Sequence, residues 1–196
     1  SYMFYSGNWD WFIEKYGDKI TTSNITQALS MFNTSSITKI PFALNFSSSC
    51  ITVSGLFNSC DKLEEIPELN FIENLEIPIN YSAMFQNCQS IKEIPTLKYF
   101  HPSDMNSMFM GCSNLRYPPK FEDINFKRLA TQNTAGRSLF HTCYSLREYP
   151  QIILDNWYSE KWTSYLYPIF NNMAYCCYSL DEIKGANPVT GAISSA

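Results

Sequence analysis

The chain has 196 residues, 45% of them hydrophobic and 16% charged, which is enough apolar side chain for a continuous core and too little charge for a disordered tail. A formal net charge of -4, with no basic run longer than Lys127 and Arg128, leaves no electrostatic footprint for nucleic acid. The longest apolar runs fall far short of the roughly 20 residues that cross a bilayer, so membrane insertion is not expected, and no basic flank followed by an apolar stretch marks a secretory leader.

From the N-terminus, residues 1–22 are rich in rings: Tyr2, Phe4, Tyr5, Trp9, Trp11, Phe12 and Tyr16 all precede the first repeat. A stack of repeats needs an atypical end to shield its last apolar layer, so this stretch is expected to be a cap, with docking onto another subunit as the alternative.

Residues 23–184 are dominated by self-similarity. The segment L-F-N-S-C-D-K-L-E-E-I-P-E-L (Leu56 to Leu69) recurs as M-F-Q-N-C-Q-S-I-K-E-I-P-T-L (Met84 to Leu97) and M-F-M-G-C-S-N-L-R-Y-P-P-K-F (Met108 to Phe121). It returns as L-F-H-T-C-Y-S-L-R-E-Y-P-Q-I (Leu139 to Ile152) and more weakly as M-A-Y-C-C-Y-S-L-D-E-I-K (Met173 to Lys184). An earlier copy, Met31 to Pro41, is one residue shorter and lacks the Cys, which makes six copies. Cys60, Cys88, Cys112, Cys143 and Cys177 are 28, 24, 31 and 34 residues apart, within or just beyond the range of leucine-rich repeats.

Inside each copy the apolar period changes. Met105, Met108, Phe109 and Cys112 fall at i, i+3, i+4 and i+7, as do Val53, Leu56, Phe57 and Cys60, and Tyr81, Met84, Phe85 and Cys88. This stripe predicts a short helix at the start of each unit. The following L-x-x-I-P-x-L suits a strand of three or four residues. Pro41, Pro67, Pro95, Pro119 and Pro150 sit at one repeat position and cannot donate to a ladder, so the strands must be very short. One helix-turn-strand unit has nothing against which to bury its stripe. The expected fold is therefore α/β: a leucine-rich-repeat-like solenoid of about six units with a short-stranded parallel sheet and a shared core. Residues 185–196 are small and polar and read as a tail or linker.

These tandem copies resemble the BspA-like leucine-rich repeats of bacterial and protist surface proteins and of phage structural proteins. The resemblance rests on Ser23, Asn24, Thr26, Met31 and Phe32 for the first half of the motif. For the second half it rests on Ser103, Asp104, Met105, Met108, Phe109, Cys112 and Leu115, and it covers about residues 21–184. It implies a non-catalytic protein-interaction scaffold, in a virion as a structural or host-contact component, or alternatively as a bacterial cell-surface adhesin binding host protein or glycan. The implied location is the virion or the extracellular or cell surface.

The residues themselves mark no reaction centre. No motif joins a nucleophile, a base and an orienting group, and Glu64 and Glu65 recur at a solvent-facing position, so no catalysis and no cofactor are expected. The seven Cys contain no C-x-x-C pair and meet only His101 and His141 as imidazole partners, which argues against a metal site. A reduced ladder of buried thiols is the expected state, with a disulfide left open for Cys50 or Cys176 in an oxidising compartment. The sequons at Asn24, Asn33, Asn45 and Asn80 are what an Asn-, Ser- and Thr-rich chain gives by chance.

Two surfaces are candidates for contact with protein partners, other subunits or a surface glycan. The residues between the inward apolar positions of each strand form a stripe, Lys39, Glu65, Glu93, Tyr117, Glu148 and Glu182, with Lys92, Arg116 and Arg147 at the strand entrances. The long spacer before the last unit carries Trp157, Tyr158, Trp162, Tyr165 and Tyr167, rings that offer large contact area for little lost entropy.

Overall fold

A computed structural model of the chain describes residues 3–73, 77–125, 136–149, 174 and 176–180. Its repeating feature is a rung of two linked turns rather than a helix. From Val53 to Cys60 every backbone N–H is donated, and the recipients alternate. Val53, Gly55, Phe57 and Ser59 donate across to the carbonyls of Asn80, Ser82, Met84 and Gln86 in the next copy, at 2.7–2.9 Å. Leu56, Asn58 and Cys60 donate back three residues, to Val53, Gly55 and Phe57. Ser54 donates to the hydroxyl of Thr52, which closes the entry to the first turn. An α-helix sends all these donors along its own axis. Here half of them join neighbouring copies.

The conformation that permits this is a left-handed residue at every fourth position. Ser30 and Thr34, Gly55 and Ser59, Ala83 and Asn87, Ser107 and Gly111, and Ser138 and Thr142 all have positive φ, between 51° and 78°. Each pair brackets the Met-Phe or Leu-Phe of its copy. A left-handed residue ends a turn before it continues as a helix and rotates the next N–H out toward the neighbouring copy. The helical periodicity is thus met by a different backbone: Met105, Met108, Phe109 and Cys112 are all fully buried, but on successive turns.

The rungs are in register. Phe32, Phe57, Phe85, Phe109 and Phe140 form one column of stacked rings, with centroids 5.5, 5.5, 5.6 and 4.9 Å apart and ring planes within about 21° of parallel. Each such pair adds about 0.5–1.5 kcal/mol beyond area burial. A second aromatic set, Phe46, Phe71, Tyr81, Phe100 and Phe121, runs along the other side of the core, beginning with a stacked pair at 4.6 Å.

Regular strands are brief and every pairing is parallel. Strand β1 (Leu44–Asn45) pairs with β2 (Leu69–Asn70), and β3 (Ile79–Asn80) pairs with β4 (Pro102–Asp104). The first pair follows the proline column instead of preceding it. Before the proline only single bridges form, such as Lys39 with Glu65, because Pro67 supplies no N–H to extend the ladder.

The column extends one rung beyond the first copy, toward the N-terminus. Phe4 stacks on Phe32 at 5.0 Å, and Phe4 and Ser6 donate their N–H groups to Met31 and Asn33. Met3-Phe4-Tyr5-Ser6-Gly7 is thus a reduced copy, with Gly7 in the Cys position and Ser6 at φ 51°. Helix α1 (Asp10–Tyr16) then covers this rung: Trp9 and Phe12 pack on Phe4 at 5.7 and 6.0 Å, and Ile13 is buried. Two turns of helix are too short to stand alone. Asp10 anchors it, accepting bonds from the N–H and hydroxyl of Thr38, while Asn8 accepts the N–H of Asp10.

The turn geometry reverses the usual effect of glycine. Ala83→Gly, which would cost about 1 kcal/mol inside a helix, is expected to raise stability by up to about 1 kcal/mol because φ there is 53°. Gly111→Ala is expected to lower it by about 1–3 kcal/mol, since φ is 78° and the added methyl meets the side-chain oxygen of Asn87. Urea titrations of both variants check this, and destabilisation by Ala83→Gly contradicts the assignment of turns.

Candidate functional site

In the first five copies the segment after the Cys position places two outward residues between two inward ones. Leu63, Ile91, Leu115 and Leu146 are fully buried, and the next inward positions, Ile94 and Tyr149, are buried as well. The pairs between them are exposed: Glu64 and Glu65, Lys92 and Glu93, Arg116 and Tyr117, Arg147 and Glu148, and Thr38 and Lys39 in the first copy. The result is a ledge two residues wide running along the stack.

Backbone bonds fix the ledge in register. Glu64 N–H donates to the Thr38 carbonyl at 2.9 Å, Arg116 to Lys92 at 3.5 Å and Arg147 to Arg116 at 2.9 Å. With the repeat alignment joining Glu64 to Lys92, the first column runs Thr38, Glu64, Lys92, Arg116, Arg147, and the second Lys39, Glu65, Glu93, Tyr117, Glu148. Between the second and third copies lies a groove of about 610 Å³ lined by Glu64, Glu65, Ile66, Lys92, Glu93, Ile94 and Pro95. Carboxylates dominate its rim and the inward isoleucines form its floor.

Of the residues singled out by sequence, Glu65 and Glu93 share this groove, Lys39 pairs with Glu65, and Tyr117 and Glu148 continue the same column as exposed side chains. Trp157, Tyr158, Trp162, Tyr165, Tyr167 and Glu182 lie outside the described residues. The ring-rich N-terminus divides. Phe4, Trp9 and Phe12 turn upon each other, whereas Trp11 remains 62% exposed.

Sequence reasoning missed a pair of surface rings, Tyr144 and Tyr178, stacked at 5.7 Å with planes 3° apart and both exposed. The signal was present, because the last two copies share Cys-Tyr-Ser-Leu where the others carry no ring.

The thiols are built into the stack. Cys60, Cys88, Cys112, Cys143 and Cys177 each donate Sγ–H to the carbonyl of the Phe one rung back (Phe32, Phe57, Phe85, Phe109 and Phe140), at 2.9–3.0 Å. The same carbonyls accept a turn bond within their own rung, so both lone pairs are used. All seven cysteines are free thiols. Burial pushes Cys60 up to about 12 and raises Cys88, Cys112 and Cys143 well above the ordinary thiol range, whereas at the end of the column a hydrogen bond with Cys143 lowers Cys177. A group held protonated and used as a donor is neither a nucleophile nor a metal ligand at neutral pH. Among the described residues no three His, Cys, Asp or Glu side chains converge on a point that would hold a metal ion. No helix among them is long and apolar enough to cross a membrane.

Comparison of the chain with protein-family models, with curated proteins and with solved structures gives no match.

The thiol column makes stability depend on alkaline pH. An unfolded thiol ionises near 8.5–9, whereas the folded chain keeps Cys60 protonated to about 12. Above pH 9 the unfolded state holds fewer thiol protons than the folded one, so the contribution of the raised thiols to stability falls as pH rises from about 9 to 12 and is constant below pH 8. Urea midpoints measured from pH 7 to 11 check the sign. In the native state iodoacetamide is expected to modify the half-buried Cys176 ahead of Cys60, Cys88, Cys112 and Cys143, which are labelled only on unfolding.

Proposed function

We propose that the chain is a non-catalytic interaction scaffold, a leucine-rich-repeat-like solenoid of the BspA type, that serves as a host-contact component of a virion. The observation that carries this is the ledge. Ten side chains in two columns project from a backbone whose position is fixed on the inner side by buried Leu and Ile and, at three of the four steps between rungs, by a hydrogen bond along the stack. Exposed residues on so rigid a support lose little backbone freedom when a partner binds, which is the main use of preorganisation.

A bacterial cell-surface adhesin is the second setting, and the character of the ledge favours reversible recognition in either case. Its surface is charged and polar, unlike the large apolar faces of permanent assemblies. The N-terminal rings that would otherwise supply an apolar face are largely spent on one another.

Photo-crosslinking residues introduced singly at Glu93 and Tyr117, in the native particle or cell, are expected to capture a partner other than the chain itself. The same residue at Lys98, whose exposed ammonium lies 3.8 Å from Glu122 away from the ledge motif, is expected to capture none. Ledge substitutions should leave stability within about 0.5 kcal/mol, which separates lost binding from lost folding. Adducts at position 98 and none at 93 or 117 would sink the assignment of the ledge.

A further inference from the structure

In the first column of the ledge three consecutive described rungs carry cations, Lys92, Arg116 and Arg147. The geometry points to this column as a binding site for an acidic polysaccharide laid along the stack, its anionic groups meeting one cation per rung. The inference rests on the scaffold reading and names the class of ligand for part of its surface.

Backbone bonds from Arg147 to Arg116 and from Arg116 to Lys92 hold the three in adjacent rungs, about 4.8 Å apart as neighbouring strands are. Like charges stacked directly opposite one another are destabilising. No ion pair relieves them among the described residues: no carboxylate lies within 4.0 Å of Lys92, Arg116 or Arg147, and all three are exposed. The chain as a whole is acidic, at -4 with 14 Lys and Arg in 196 residues. The column is therefore a local concentration of positive charge and not a sample of a basic surface.

The spacing selects among polyanions. An extended peptide turns alternate side chains to one side, about 6.6 Å apart, and slips out of register with the cations after one rung. A linked pyranose advances its chain by about one rung, and rotation about its glycosidic bonds lets a uronate or sulfate on successive rings turn toward the column. Nucleic acid is disfavoured by the second column, where Glu93 and Glu148 flank the cations and repel a backbone charged on both sides. The Tyr144–Tyr178 stack adds exposed ring surface, with Tyr144 three residues before Arg147 on the same rung. The C–H face of a sugar ring rests on such a surface.

The test uses the full chain and immobilised polygalacturonate (carboxylate only) and chondroitin sulfate, with dextran as the neutral control and oligo-dT and poly-glutamate as competing polyanions. Binding to at least one acidic polysaccharide above dextran, weakening as salt rises, is expected, and the stronger of the two identifies carboxylate or sulfate as the preferred group. The triple variant Lys92→Ser, Arg116→Ser, Arg147→Ser should lose at least tenfold in affinity, and Glu93→Gln with Glu148→Gln should gain. Melting curves confirm that both variants fold, and Lys92→Gln, Arg116→Gln, Arg147→Gln serves as a second triple variant with longer side chains. Binding no better than to dextran, an unchanged triple variant, or tighter binding of oligo-dT or poly-glutamate overturns the inference. If polysaccharide binding is absent while the crosslinks from positions 93 and 117 persist, this inference fails and the scaffold reading stands. If the crosslinks vanish too, both fail.

Discussion

The structure depends on how each rung shares out its backbone N–H groups. With a left-handed residue every fourth position, one set of donors closes turns within the rung and the alternate set reaches the next rung. Neither set suffices alone. The turns without the cross-rung bonds are isolated β-turns, and the cross-rung bonds without the turns would need long strands that the proline column forbids. Holding a non-glycine residue in the left-handed region costs about 1–2 kcal/mol, and the rung accepts this at Ala83, Asn87, Ser107, Ser138 and Thr142 because each such residue redirects a donor that burial would otherwise leave unpaired.

Core chemistry follows from that backbone. Repeating the rung at a fixed pitch brings equivalent side chains into columns, and a planar ring is the side chain that best fills space between layers about 5 Å apart. Phe holds the central column for this reason. Its carbonyl faces back into the stack with a second lone pair to satisfy. A thiol is small enough to sit beside the ring, apolar enough to be buried there, and still a donor. Cys60 to Cys177 fill that role, which makes their spacing a record of the backbone repeat and accounts for the absence of paired or metal-binding spacing among them.

Much of this was legible in the sequence and one part was misread. The copies, their Phe and Cys positions, the inward Leu and Ile and the outward pairs between them all follow from spacing, since an alternation of buried and exposed positions is written directly in residue type. The helix was not there to be found. A stripe at i, i+3, i+4 and i+7 is also what two linked four-residue turns produce, so Met105, Met108, Phe109 and Cys112 fit both. The discriminating positions were the bracketing ones: Gly55 with Ser59, Ala83 with Asn87, and Ser107 with Gly111 are small or turn-forming where a helix would take long straight side chains. The reduced N-terminal copy escaped notice because Gly7 stands in the Cys position and no proline follows at the usual distance. Its Met3-Phe4 pair was the only surviving mark.

The period that organises the interior also organises the surface. A rung pitch chosen by ring stacking and backbone bonds dictates that outward residues recur at the same interval, so any side chain kept at one repeat position becomes a column. Where the column alternates in sign, as from Lys39 to Glu65, neighbours attract and the surface is merely solvated. Where it repeats a sign, as from Lys92 to Arg147, neighbours repel unless an external charge intervenes. Fold stability gains nothing from the second arrangement. A ligand whose own charges recur at the rung interval turns that repulsion into attraction, and it does so only along the stack direction, where the column has length.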